Sequence, residues 1–207
     1  MRVHVVLNPR AGALLRGTRE ESIDTVAQAF AEAGLKPSVE CTNADALPAA
    51  IDAAAAAADV VVVGGGDGTL RTAAARLAGK RAALGVLPLG TFNHFAKDLG
   101  IPRDRDGAAR AVAAGTPRPR DIAAVNGRVF INHAGVGIYP HMVAHRERLR
   151  GQRGFGKFTA MAVATLEALR SYRTFGLRIR IAGEARTRRS PFLFVANNGY
   201  ILDAYGL

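Results

Sequence analysis

The 207-residue sequence has one cysteine and no tryptophan, and aromatic residues make up only 6% of it. A lone Cys41 cannot build an internal disulfide framework, and a cysteine-based zinc site needs more than one thiolate. The five histidines, His4, His94, His133, His141 and His145, lack metal-ligand spacing, so no structural zinc is expected. Basic residues are not interleaved with stacking aromatics, which disfavours a nucleic-acid-binding module. Apolar runs are short. The alanine tract at 53–58 is bounded by Asp52 and Asp59, and nothing approaches the roughly 20 residues of a membrane span. Val3–Leu7 stops at Asn8-Pro9, long enough for a strand and too short for a signal-peptide core. The expectation is a cytoplasmic protein, soluble or at most peripheral to a membrane.

Acidic residues are also in deficit, with 17 Asp and Glu against 28 Lys and Arg, for a net charge of +11. The imbalance is local. Residues 1–100 carry 10 charges of each sign, whereas residues 101–207 carry 18 basic and 7 acidic ones. A half-molecule of this kind suits an anionic partner: a phosphorylated ligand, an acidic membrane or nucleic acid. The run Arg146-Glu147-Arg148-Leu149-Arg150-Gly151-Gln152-Arg153, with Phe155, Lys157 and Phe158, is the segment expected to rest on anionic headgroups.

The first 100 residues alternate short apolar runs with helical patterns, which predicts βαβ units and a parallel sheet. Val3–Leu7 reads as the first strand. Thr18 with Glu21 forms a capping-box pattern opening a helix that Gly34 closes. Strands are predicted at Pro37–Cys41, Val60–Val63 and Ala83–Leu87, and helices at Asp45–Ala58, Thr69–Ala78 and Asn93–Leu99. The four valines of the third strand predict burial on both faces. From about residue 118 the pattern changes. Asn126-Gly127 between Asp121–Ala124 and Arg128–Ala134 is a type I′ hairpin signal. An amphipathic helix over Phe158–Tyr172 and strands at Leu177–Ile181 and Pro191–Ala196 follow. The fold class read from this is α/β: residues 1–118 as a parallel-sheet domain, and 119–207 as the incomplete beginning of a mainly antiparallel second domain.

Three loops carry the chemistry. After the valine strand comes Gly64-Gly65-Gly66-Asp67-Gly68-Thr69, leading into a helix. Glycines let backbone N–H groups approach an anion, and the helix N-terminus adds its positive end. Asp67 would repel bare phosphate, so it either works through magnesium or orders a network around the site. Pro88-Leu89-Gly90-Thr91-Phe92-Asn93 follows the fourth strand and Asn8-Pro9-Arg10-Ala11-Gly12 the first. All three fall at the carboxyl edge of one sheet, where open α/β folds bind ligands. Thr69 occupies the third-glycine position of the dinucleotide fingerprint, which disfavours a hydride-transfer enzyme. Gly151–Lys157 nearly spells a P-loop, but Phe158 stands where Ser or Thr should be.

Together, Asn8–Gly12, Gly64–Leu70 and Leu87–Pro102, with Ile131–Pro140 and Phe194–Tyr200, resemble the diacylglycerol kinase catalytic domain family, which includes bacterial lipid kinases and the sphingosine and ceramide kinases. The resemblance implies an NAD kinase/diacylglycerol kinase-like fold and an ATP- and Mg2+-dependent transfer of the γ-phosphate to a lipid hydroxyl. It implies that Asn8, Pro9, Arg10, Ala11, Gly12, Thr42, Gly65, Gly66, Asp67, Gly68, Thr69, Leu70, Arg71, Thr91 and Asn93 line the nucleotide. Asp67 is the best local candidate for a catalytic acid, with the general base expected beyond Leu207; Asp203 is the nearest carboxylate to that region. His94 stands where many members carry Asp, and Arg71 replaces a frequent Asn. The competing readings are a soluble small-molecule kinase of the NAD kinase type, which shares the glycine turn, and a non-catalytic nucleotide- or nucleic-acid-binding protein.

Overall fold

The computed structural model describes residues 1–12, 17–137 and 174–199. The chain divides into two compact units, Met1–Asn132 with Ala196–Leu207, and His133–Val195.

The first unit is built on four parallel strands, β1 (Val3–Leu7), β2 (Ser38–Cys41), β3 (Val60–Gly65) and β4 (Ala83–Pro88), in the order β2-β1-β3-β4. Strand periodicity sorts the valines of β3 between two cores. Val61 and Val63 pack with Leu47, Ile51, Leu70 and Leu77 from helices α2 (Leu47–Ala57) and α3 (Asp67–Leu77). Val60 and Val62 join Val26 and Phe30 of α1 (Arg19–Glu32) and Ala108 and Ala109 of α5 (Arg105–Ala114) on the other face. The short α4 (His94–Asp98) adds Phe95 and Ala96 to the α2–α3 side. Each fully buried side chain of the size of Phe30, Ile51 or Leu70 contributes roughly 1.5–3 kcal/mol. Cys41 is part of this core, and burial pushes its thiol up from the ordinary range.

The local signals act as expected at several joints. Thr18 caps α1 with its side chain accepting from Glu21 N, the Glu21 carboxylate accepting in return from Thr18 N. Asn126 and Gly127 both take positive φ, 49° and 74°, between β5 (Ala123–Val125) and β6 (Arg128–Phe130). Four expectations need correction. The helix expected at Thr69 begins at Asp67, because Gly66 is its extended N-cap and an acidic first turn complements the helix dipole. The strand expected over Arg128–Ala134 is broken, ending at Phe130 and resuming as β7 (His133–Gly137), with Asn132 between them. No element was expected at 105–114, where α5 forms behind Asp104, whose carboxylate accepts from Gly107 N at 2.7 Å. The fourth concerns residues 184–190 in the second unit.

That unit contains β7, β8 (Phe175–Ile181), β9 (Glu184–Ser190) and β10 (Phe192–Ala196). β8 and β9 are an antiparallel ribbon turned at Ala182-Gly183, both with positive φ, and β10 pairs with β7. β9, of sequence EARTRRS, has no apolar alternation to announce it; its partner strand supplies the ordering. The amphipathic helix expected at Phe158–Tyr172, the basic run at 146–153 and Asp203 lie outside the described residues. Among the described residues no helix is long and apolar enough to cross a membrane.

A surface clasp joins α2 to the end of α3. The Asp52 carboxylate accepts from the Arg76 guanidinium and from Lys80 Nζ, the latter at 2.6 Å. These two bonds hold Asp52 down to about 2. A depressed carboxyl stabilises the fold above its unfolded value near 4, and that contribution is lost as pH falls toward 2. Asp52→Asn should therefore unfold at lower urea than the parent at pH 7, and the difference should narrow steadily as pH falls from 4 through 2. Equal midpoints at pH 7 would show that the clasp contributes nothing.

Candidate functional site

Parallel pairing fixes where the loops emerge. Leu7 lies opposite Cys41 and Gly64, and Gly64 opposite Leu87. The next residues, Asn8, Thr42, Gly65 and Pro88, therefore leave the sheet level with one another, at the carboxyl edge of every strand. Main-chain bonds continue the lattice one step further: Asn8 N donates to Gly64 O, Thr42 N to Leu7 O and Leu89 N to Gly65 O.

The glycine loop and the loop after β4 touch backbone to backbone. A Cβ placed on Gly90 would stand 2.4 Å from Gly66 Cα, and one on Gly66 would stand 3.3 Å from Gly90 Cα. Only glycines permit this approach. Gly68 differs: a Cβ there meets nothing within 4 Å. The first intrahelical bond of α3 runs from Leu70 N to Gly66 O. The N–H groups of Asp67, Gly68 and Thr69 thus precede it, at the positive end of an 11-residue helix, which is an arrangement that favours phosphate.

Asp67 ties the loops together. Its Oδ1 accepts from Phe95 N at 3.0 Å and from Asn132 Nδ2 at 3.1 Å, and its Oδ2 accepts from His94 N at 3.2 Å. Of the two roles open to this carboxylate, the geometry supplies the network. Three of roughly four lone-pair directions are occupied by protein donors. Asn8 adds a second tie: its Nδ2 donates to Thr69 Oγ1 at 3.0 Å while its Oδ1 accepts from Arg10 N.

The residues singled out in the sequence fall into two groups. Asn8, Thr42, Gly65, Gly66, Asp67, Gly68, Thr69 and Thr91 gather at the four loop starts, with Thr91 exposed and Thr69 buried. Pro9, Arg10 and Gly12 follow Asn8 at the surface, while Ala11 is buried. Leu70 is fully buried in the core, so its side chain faces away from the loops. Arg71 is an exposed helix residue. Asn93 is buried in a left-handed conformation (φ 51°), its amide closing the loop on Gly90 N and Gly90 O at 3.0 and 2.8 Å. It shapes the loop from within. His94 stacks on Phe92 with centroids 5.6 Å apart.

Two residues were not singled out as site residues, Asn132 and Asn198. Asn198 Nδ2 donates to Asn132 Oδ1 at 2.9 Å, so both are linked to Asp67. Both lie in segments that carry the family resemblance, Ile131–Pro140 and Phe194–Tyr200, where no role was assigned to them and the local signal was a polar amide interrupting an apolar run. Among the described residues no group of three His, Cys, Asp or Glu side chains is placed to hold a metal ion. A groove of about 510 Å3 runs along β4, lined by Leu77, Leu84, Val86, Leu99 and Ile101 among others. None of the glycine-loop residues from Gly64 to Thr69 lines it.

Residues 2–125 match the model of the diacylglycerol kinase catalytic domain. The chain is 42% identical over 141 residues to the diacylglycerol kinase of Bacillus subtilis, an alignment covering 66% of this chain and 46% of that protein. It is 47% identical over 81 residues to a Pseudomonas aeruginosa protein named "Probable lipid kinase YegS-like", covering 38% of this chain and 26% of the other. The chain thus spans about half or less of the length of these curated relatives. A crystal structure of a diacylglycerol kinase from Bacillus anthracis superimposes with a TM-score of 0.70 at 24% identity, covering 96% of this chain and 65% of that one, and shares its fold.

Proposed function

Since the chain belongs to the diacylglycerol kinase catalytic domain family, matched over more than half its length, we propose that it is the nucleotide-binding part of a lipid kinase that transfers the γ-phosphate of ATP to a lipid hydroxyl such as that of diacylglycerol. The observation that carries this reading is the level emergence of four loops around the N-terminus of α3, with Gly66 and Gly90 in backbone contact. Free N–H groups of the first helical turn stabilise phosphate oxygens without a side chain in the way. Asn8–Gly12, Thr42, Gly65–Thr69 and Thr91 border the nucleotide in this reading; Leu70, Arg71 and Asn93 support it from the core, the flank and the loop interior. Residues 1–118 are the nucleotide-binding domain, and 119–207 begin the lipid-binding one.

Asp67 organises the loops; with both oxygens engaged, it is poorly placed to take the proton of the attacking hydroxyl. Phosphoryl transfer depends on positioning and on offsetting charge at the equatorial oxygens, which Mg2+ supplies when it arrives on ATP. The donors around the loops are mostly backbone N–H groups and amides, a set that fits the phosphates of a Mg-ATP complex, and no protein ligand to the metal is assigned. A cytoplasmic enzyme working at an anionic leaflet also accounts for the second-half charge. Arg178, Arg180 and Arg189 share one exposed face of the β8–β9 ribbon, and each such charge near a leaflet contributes about 1 kcal/mol.

The test uses γ-labelled ATP, Mg2+ and a total bacterial lipid extract with the purified protein and an Asp67→Ala control. Label in the organic phase with the parent alone supports the lipid kinase. Label on NAD or another soluble alcohol, with none in lipid, would overturn it in favour of a small-molecule kinase.

A further inference from the structure

The hydrogen bonds around Asp67 have a direction that the carboxylate itself dictates. An ionised carboxylate only accepts, so the Asn132 atom 3.1 Å from Asp67 Oδ1 is its NH2 group. That choice turns Asn132 Oδ1 toward Asn198, and an oxygen there calls for a donor, so Asn198 presents its own NH2 at 2.9 Å. Both amide orientations follow from one charge. Asn198 is 9% exposed, and among the described residues its buried Oδ1 has no hydrogen-bond partner. Leaving a buried acceptor unpaired is costly, and the Asn132 bond still holds the amide in that orientation. The backbone beneath is fixed as well: Asn197 N donates to Asn132 O at 2.7 Å, and Asn197 Nδ2 donates to Asp121 O and Ile131 O at 3.0 and 3.3 Å.

We propose that Asn132 and Asn198 are positioning residues for the nucleotide loops: an oriented two-amide relay that holds the Asp67 carboxylate against the His94 and Phe95 N–H groups and so sets the spacing between the glycine loop and the loop after β4. The relay rests on the reading above only for the identity of its ligand, ATP. It makes the phosphate-binding loops answer to residues 65 and 66 positions away from their partners in sequence. Through them, a segment around residue 198, far beyond the nucleotide motifs, governs nucleotide affinity without touching the nucleotide.

Asn132→Asp is the informative variant, because it keeps the shape and replaces the donor by a second carboxyl. Two carboxyls at hydrogen-bond distance share a proton at low pH and repel once it is lost. The raised pair pKa means that stability is retained in acid and lost as pH rises through it. The other titratable side chains on the surrounding elements are Arg71 and Arg76 on α3, His94, Lys97 and Asp98 on α4, Arg128 on β6, and His133; the parent protein reports their contribution. Affinity for a fluorescent ATP analogue should be near the parent's at pH 5 and about tenfold or more weaker at pH 8, the loss of one hydrogen bond to a charged group. The ligand-free urea midpoint should follow the same pH trend. Asn132→Ala should weaken binding at every pH, and Asn198→Ala added to it should cost almost nothing more, since the relay is already cut. A pH profile of Asn132→Asp parallel to the parent's, or additive losses in the double variant, would overturn the relay. If the parent binds no nucleotide, the lipid kinase reading falls, and the ligand-free urea midpoints still decide the relay.

Discussion

Asp67→Ala is expected to weaken ATP binding and phosphoryl transfer by more than about a hundredfold while leaving the protein folded. The carboxylate accepts from His94 N, Phe95 N and Asn132 Nδ2. Alanine strands three donors at a partly buried place, and about 1–3 kcal/mol is lost for each one that water cannot reach. Even about 3 kcal/mol in all corresponds to more than two decades of affinity. The cores on either side of the sheet do not include Asp67, so the protein should still fold, with a urea midpoint lowered by the stranded donors. Asp67→Asn separates charge from geometry. Its NH2 must face a backbone N–H, donor against donor, so it should be nearly as damaging as alanine. Isothermal titration with an ATP analogue and a urea midpoint on the same samples check both halves. Parent-like affinity in the alanine variant would show that the network does not shape the site.

Among the glycines of the nucleotide loops, Gly90→Ala should be the most damaging single methyl. The added carbon would lie 2.4 Å from Gly66 Cα and 2.8 Å from Asn93 Oδ1. The first of these is backbone of a second loop, which cannot swing aside like a side chain. The loops must part, and the Asn93 staple on Gly90 N and O must break with them. Overpacking of this kind costs about 1–3 kcal/mol in stability, and nucleotide binding should be lost with the loop spacing. Gly68→Ala is the matched comparison. Its methyl meets no protein atom within 4 Å, and alanine inside a helix is favoured over glycine by roughly 0.5–1 kcal/mol. Gly68→Ala should therefore fold at least as well as the parent yet bind ATP less tightly, because its methyl occupies the ligand's side of the helix terminus. If both variants bind normally, the phosphate does not sit at this helix end.

Much of the scaffold was legible because its causes are local. Thr18 and Glu21 cap α1 through atoms three residues apart, Asn126-Gly127 sets its own turn, and the valines of β3 declare burial on both faces. The parts that were not legible have causes of a different kind. β9 is polar throughout and becomes a strand because β8 offers it a ladder. The break at Asn132 interrupts a run that reads as one continuous strand, and it places a single amide against Asp67. α3 starts two residues earlier than its sequence suggests because Gly66, extended and pressed against Gly90, serves as the cap.

By itself the sequence determined the parallel α/β unit, the three loops that carry glycine, asparagine and threonine, and the edge of the sheet on which they lie. Periodicity, caps and turns are short-range, and each is written within a few residues of where it acts. The tertiary structure alone decided what Asp67 bonds to, which glycines are sterically obligatory, and that Asn132 and Asn198 are linked to that carboxylate. Those outcomes depend on hydrogen bonds of fixed direction between residues up to 66 positions apart. No repeating pattern marks such pairs along a chain; they exist only once the sheet has brought its loops together.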